Sequence, residues 1–280
     1  MRKFLALQLA IAALHASALE ADLRSALHAG QVSIAVVGLG GHSGACLRVD
    51  AVNRTGEIAR ITIPSGWRFG SQDSSLQDLL VVGEHVLALA PNGRSSITCS
   101  AFCCEASRGG PGHGSAFNEG ALADSALVKL ARHLASAAYS NEAMQQAVWS
   151  VSDDTPISAI DADDATASNT LRQFVSALTG RPVPWYTTAF AHAEPGRAFN
   201  PNATRVTGGV EFHQRHAGVL SIVVKDADGR TIHVLDEGRD LRQGKYTINV
   251  DVTVRHWPAG RYSICFATDG VLLKKEEFEL

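Results

Sequence analysis

Two stretches of this chain, 31–101 and 204–280, break into short alternating runs separated by turn residues, which narrows the choice of folds sharply. Val32, Ile34 and Val36 alternate with Ser33, Ala35 and Val37, and the pattern returns over 46–52 and 58–63. A period of two places successive side chains on opposite faces of a strand. Asn53-Arg54-Thr55-Gly56, Pro64-Ser65-Gly66 and Pro91-Asn92-Gly93 supply turn chemistry between or after the runs. Near the end, 220–224 and 231–235 flank Asp226-Ala227-Asp228-Gly229, and 261–267 and 271–278 flank Asp269-Gly270. Both read as hairpins. Strands this short, at this spacing, predict β-sandwiches.

The middle of the chain follows a different period. Asp124 precedes a stripe of Leu127, Leu130 and Leu134, and Asn141 is placed to cap a second, shorter helix. A third begins near Asp161 to Asp164 and carries Leu171, Phe174, Val175 and Leu178, the i, i+3, i+4, i+7 spacing of one helix face. Gly180 and Pro182 end it. The expected fold is mainly β with a helical segment. An N-terminal β-sandwich region (19–105) carries a helical region (106–185), and a proline-rich linker (186–203) leads to a small antiparallel Ig-like β-sandwich (204–280).

Residues 1–18 read as a signal peptide. Met1-Arg2-Lys3 is basic, 4–14 is apolar, and Ala16-Ser17-Ala18 is a small-x-small cleavage site. The apolar run is too short to span a bilayer, and no transmembrane segment is expected elsewhere. Cleavage would leave roughly 262 residues, one large or two ordinary domains, and the 45% apolar content supports a real core. Loss of Arg2 and Lys3 would take the formal charge of −3 to about −5. So mild an acidity argues against a nucleic-acid partner. Secretion or display at the cell surface is the expected destination.

Most motifs yield to simple readings. Gly38-Leu39-Gly40-Gly41-His42-Ser43-Gly44 resembles a dinucleotide fingerprint in spacing, but a strand pattern follows it where phosphate binding needs a helix N-terminus. A glycine-rich hairpin loop is expected, and no cofactor. Asp161, Asp163 and Asp164 lack the glycine and glutamate of a calcium loop, since Thr166 and Arg172 occupy those positions. His213 and His216 lack metal-ligand spacing, so no metal site is expected. Gly41-His42-Ser43-Gly44 lacks one spacer of a nucleophile elbow, and no catalytic residue is assigned. Asn53-Arg54-Thr55 and Asn202-Ala203-Thr204 match glycosylation sequons.

Cysteine placement is less ordinary. Cys46, Cys99, Cys103, Cys104 and Cys265 all follow the leader, and Cys103 and Cys104 are adjacent. In an oxidising compartment one bridge is expected from Cys103 or Cys104 to Cys46 or Cys99, with Cys265 apart. A direct Cys103–Cys104 bridge is disfavoured, because neighbours on a strand face opposite ways. In the second helix Met144, Ala147, Val148 and Val151 form one apolar stripe, and Trp149 falls opposite, beside Gln145 and Gln146. That helix should therefore lie between two layers, with a glutamine held against buried surface.

Gln145 to Trp149, followed by Ser152-Asp153, resembles the glutamine helix of thioester domains in bacterial surface adhesins. The resemblance covers short segments between about 101 and 153. It implies Cys103 or Cys104 as the thiol and Gln145 as the glutamine of an internal thioester. Met144 stands where the family has threonine, and the cysteine is doubled. Ile222 to Arg230 and Trp257-Pro258-Ala259-Gly260-Arg261-Tyr262 resemble C-terminal sorting domains of type IX secretion, as does the basic pair Lys274-Lys275. This implies contact with secretion machinery through 204–280. Asn200-Pro201-Asn202 is a reduced form of that family's opening motif. Together these features describe a secreted bacterial protein with a thioester-type surface domain and a sorting or Ig-like domain. The expected role is non-catalytic binding or structure, toward an extracellular or cell-surface partner. A covalent adhesin is the alternative, and an extracellular hydrolase with an unrecognised site is a third class.

Overall fold

The computed structural model describes residues 18–280 except Asp163 and Pro195. All of the expected leader but Ala18 lies outside the described residues. The chain opens with β1 (Leu19–Asp22) and helix α1 (Leu23–His28). It continues through β2 (Val32–Leu39), β3 (Leu47–Asn53), β4 (Ala59–Ile63), β5 (Trp67–Phe69), β6 (Leu79–Val81), β7 (His85–Leu89), β8 (Arg94–Cys99), β9 (Ala101–Cys103), β10 (His113–Phe117) and β11 (Ala121–Leu122). Helices α2 (Ser125–Ala135), α3 (Asn141–Ser152) and α4 (Ala165–Thr179) follow. The last part holds β12 (Tyr186–Phe190), β13 (Ala203–Gln214), β14 (Gly218–Lys225), β15 (Thr231–Leu241), β16 (Gly244–Thr253), β17 (Arg261–Thr268) and β18 (Val271–Glu279). The protein is mainly β with a helical segment, as its patterning predicts.

Three sheets build the first part, ordered β10-β2-β3-β8, β1-β4-β7 and β11-β5-β6-β9. Val36 and Val49 of the first, Ile61 and Leu87 of the second, and Phe69 and Leu79 of the third share one core. Leu80 and Phe102, the alternate residues of the third sheet, face away from it. They pack instead with Leu127, Leu130, Val148 and Leu171 of the helices. The third sheet is thus covered on both faces, which is why Leu79-Leu80-Val81 and Ala101-Phe102-Cys103 are buried without alternation.

Local chemistry sets the helix ends. Asp124 accepts from the amides of Ala126 and Leu127, as expected of an N-cap. The α3 cap is Ser140, one residue before the expected Asn141, and its hydroxyl accepts from Ala143 N. Asp164 caps α4, and Gly180 closes it at φ 71°, a left-handed position that glycine adopts without strain. Arg181 donates to Ser150 O in the last turn of α3 and to Asp154 O and Thr155 O just beyond it, satisfying carbonyls left open at the helix end.

The segment expected as a linker carries structure. Tyr186–Phe190 is β12, which pairs antiparallel with β13 in a β12-β13-β16 sheet. That sheet packs on β15-β14-β17-β18 through Val206, Leu220, Ile222, Val252, Ile264 and Phe266. Further on, Ala198 and Phe199 pack against the first core. Proline content hid the strand because β12 begins only after Pro182 and Pro184. The same β12 meets the helical region. Arg172, 7% exposed, donates to Ile160 O (2.8 Å) and to Thr187 Oγ1 (2.6 Å), and Ser158 shares a hydrogen bond with Thr188 (3.0 Å). Trp185 Nε1 donates to Glu277 O on the outer edge of β18. A fragment spanning 181–280 should therefore fold cooperatively, whereas 204–280, which lacks β12, should lose most of its hydrogen-exchange protection. Equal protection in the two fragments would contradict this boundary.

Candidate functional site

Of the buried polar groups, the densest set surrounds the outer edge of β9. This strand ends its sheet, yet the edge lies under α3 and the 40–46 loop instead of in water. Buried N–H and C=O groups need partners, and an edge strand has a full row of them. Each is found. Ala101 N donates to Gly44 O (2.8 Å), and Ala101 O accepts from Cys46 Sγ (3.3 Å). Cys103 N donates to His42 O (3.1 Å) and to Gln145 Oε1 (3.0 Å), and Cys103 O accepts from Gln145 Nε2 (2.8 Å). The Gln145 carboxamide thus supplies one acceptor and one donor to a single residue, as a neighbouring strand would.

The hydrogen bonds continue past the strand. Cys104 O accepts from Ser152 Oγ (2.5 Å), and Glu105 N donates to Gln77 Oε1 (3.0 Å). The same Gln77 oxygen accepts from Trp149 Nε1 (3.0 Å). Trp149 is 1% exposed and belongs to the first core, while Ala147 and Val148 of the same helix belong to the second. Helix α3 accordingly lies between two layers, as its sequence predicts. His42 stacks on Trp149 at 6.0 Å between ring centroids, and Phe199 lies 5.7 Å from it. The glycine-rich loop is a hairpin connection between β2 and β3. Gly44 sits at φ 75°, a left-handed position that glycine takes without strain, and a Cβ there would meet the tip of the Asn141 side chain at the start of α3.

Outward from this edge, Arg68 pairs with Asp78 and Glu105, and Glu105 also accepts from Asp78 N. Burial pushes the Glu105 carboxyl above its ordinary range. With both oxygens engaged, it braces the loop after β9.

Of the candidate thioester residues, the structure brings Cys103 and Gln145 together and leaves Cys104 on the opposite face. Cys103 lies in the first core with Cys46 and Cys99, and Cys104 lies in the helical core. This is the opposite-face geometry expected of neighbours on a strand. In this structure all five cysteines carry free thiols, and Cys46, Cys99 and Cys103 share one core, so a bridge from Cys103 to Cys46 or Cys99 is a question for peptide mapping without reduction. Burial pushes Cys46 up to about 11 and Cys99 up to about 12, and raises Cys103 and Cys104 further. A thiol so far from ionisation is a poor nucleophile. Gln77, Ser152 and His42 were not legible in sequence as members of this set, since their partners around β9 lie 28 or more residues away in the chain.

No family model matches this chain. No curated protein matches it. Among solved structures, a calcium-binding mutant of Bacteroides uniformis beta-glucuronidase 2 aligns at 10% identity and a TM-score of 0.23, over 85% of this chain and 26% of that one. The chain thus spans about a quarter of that protein's length, and a likeness so slight carries no argument about activity.

Thiol accessibility gives a direct check. In the native protein a charged alkylating reagent should label Cys265, the half-buried one, well before the other four. Cys46, Cys99, Cys103 and Cys104 should react only on unfolding, as read by peptide mass mapping. Rapid native labelling of Cys103 would contradict its placement in the core.

Proposed function

We propose that this chain is an exported, non-catalytic binding or structural module for an extracellular or cell-surface partner. The observation that carries the reading is the commitment of Gln145, Gln77, Ser152 and Trp149 to the backbone and core around β9. The groups that suggested covalent chemistry hold the fold together, and Gln145 and Cys103 are both 0% exposed. An incoming amine has no route to them without opening the seam between α3 and β9.

Export rests on the basic, apolar and small-residue pattern of 1–18. Engagement of secretion machinery through 204–280 stays a proposal built on the motifs of that region.

A covalent adhesin is the competing reading, favoured by the contact between Cys103 and Gln145. It requires the Cys103 sulfur to bond to Gln145 Cδ as the C–N bond breaks, with the thiol proton leaving on ammonia. Intact mass spectrometry separates the two readings. The expected mass of the processed chain shows no ammonia deficit and does not change with methylamine. A deficit of one ammonia that methylamine converts into a gain of one methylene, with the thiol freed and Gln145 N-methylated, would replace the non-catalytic reading.

A further inference from the structure

The two sheets of the C-terminal sandwich present opposite kinds of outer face. On β12-β13-β16 the register sets Arg205 beside Thr253, Thr207 beside Asp251, Glu211 beside Thr247 and His213 beside Lys245. These pairs alternate with Val206, Val210 and Phe212, which enter the core. That outer face is polar, as a solvated antiparallel face should be. On β15-β14-β17-β18 the inward residues are Leu220, Ile222 and Val224 of β14 with Ile264 and Phe266 of β17. Between them, facing outward, stand Val219, Val223, Cys265 and Ala267. The register adds Val234 of β15 beside Val223 and Leu272 of β18 beside Ala267. None of these six joins a core. Val219, Val234 and Leu272 are 43%, 47% and 57% exposed.

Five of the nine exposed large apolar residues among those described belong to this one sheet, which makes the face a concentrated patch and not the scatter of an ordinary surface. Four strands at about 4.8 Å and eight residues at about 3.4 Å give it a flat area of roughly 500 Å², before side-chain relief adds to it. A standard interface takes about 800 Å² per partner. The face therefore has the size of a modest, reversible interface.

The charges around the patch select a second copy of the chain as its occupant. Three outward rows cross the sheet. The first holds Thr231, Lys225, Ser263 and Glu277, the second Val234, Val223, Cys265 and Lys275, and the third Glu237, Ser221, Ala267 and Leu272. A two-fold axis that crosses the strands at the second row lays the first row of one copy over the third row of the other. Val234, Val223 and Cys265 then meet their own counterparts. Lys225 comes beside Glu237 of the second copy, and symmetry makes this contact twice. Arg239 takes Asp236 within the chain, which leaves Glu237 open for it. Lys275 keeps its bridge to Glu277 and gains Glu277 of the second copy nearby, so the two facing lysines are each offset by a carboxylate. Opposed sheets pack about 10 Å apart, within reach of lysine and glutamate side chains.

We propose that the chain forms a reversible two-fold dimer through the outer face of β15-β14-β17-β18, with Cys265 of each copy at the axis and Lys225 paired with Glu237 of the other. The inference stands apart from the function proposed above, and its outcome is independent of the mass measurement. Sedimentation velocity of the processed chain under reducing conditions, from about 1 to about 300 μM, tests it. A monomer–dimer equilibrium is expected, with a dissociation constant on the order of micromolar. Val234→Glu should weaken association about a hundredfold or more by placing a charge in the apolar contact. Its Tm in dilute solution should stay unchanged, because the site is exposed in the monomer. Lys225→Glu should weaken association about tenfold. Adding Glu237→Lys to that variant reverses the pair and should restore association, which tests the register directly. Cys265 labels readily in dilute protein, and its labelling should slow about fivefold or more where the dimer dominates. A chain that stays monomeric throughout, a dimer indifferent to Val234→Glu, a double reversal that fails to restore association, or Cys265 labelling that ignores concentration would overturn the proposal.

Discussion

The buried outer edge of β9 is the constraint on which the first part of the molecule depends. A sheet edge under a helix has no water to satisfy it, and each unpaired backbone group costs about 1–3 kcal/mol. The chain meets this demand with three unlike devices. Carbonyls of His42 and Gly44 come from a glycine-rich loop, a thiol comes from Cys46, and a carboxamide comes from Gln145. These features look unrelated in sequence, and one edge accounts for all of them.

Meeting that demand allows the sheet β11-β5-β6-β9 to be covered on both faces. Its alternate residues enter two cores, one shared with the other sheets and one with the helices. Helix α3 then serves both. Ala147 and Val148 pack in the second core, while Trp149 reaches the first and ties Gln77 to the loop after β9. Beyond α3, Arg181 binds the carbonyls that follow it, and Arg172 ties α4 to β12. The polar groups between the layers therefore act as one continuous set of braces from β9 to the second sandwich.

Much of this architecture was legible because it is local. Alternation over 32–36 and 220–224, the Asp124 cap, the Gly180 stop and the Asp269-Gly270 turn each depend on residues close in sequence. The layered position of α3 also followed from Trp149 lying opposite the apolar stripe. The Ser140 cap was missed by one residue, because serine and asparagine both suit that role. β12 was missed because flanking prolines masked a five-residue strand. The partner of Gln145 was legible only as buried surface. The resemblance implies the thiol of Cys103 or Cys104, and the hydrogen bonds run to the Cys103 backbone, which every residue possesses and no motif records.

Gln145 stabilises the protein through the backbone of Cys103, independent of its sulfur. A double-mutant cycle on chemical denaturation isolates this. Gln145→Leu should cost about 1–3 kcal/mol by leaving Cys103 O unpaired. The cost should be the same within about 0.5 kcal/mol in a Cys103→Ala background, where the backbone groups are intact. If the cost vanishes once the thiol is gone, Gln145 acts through the sulfur and not through the backbone.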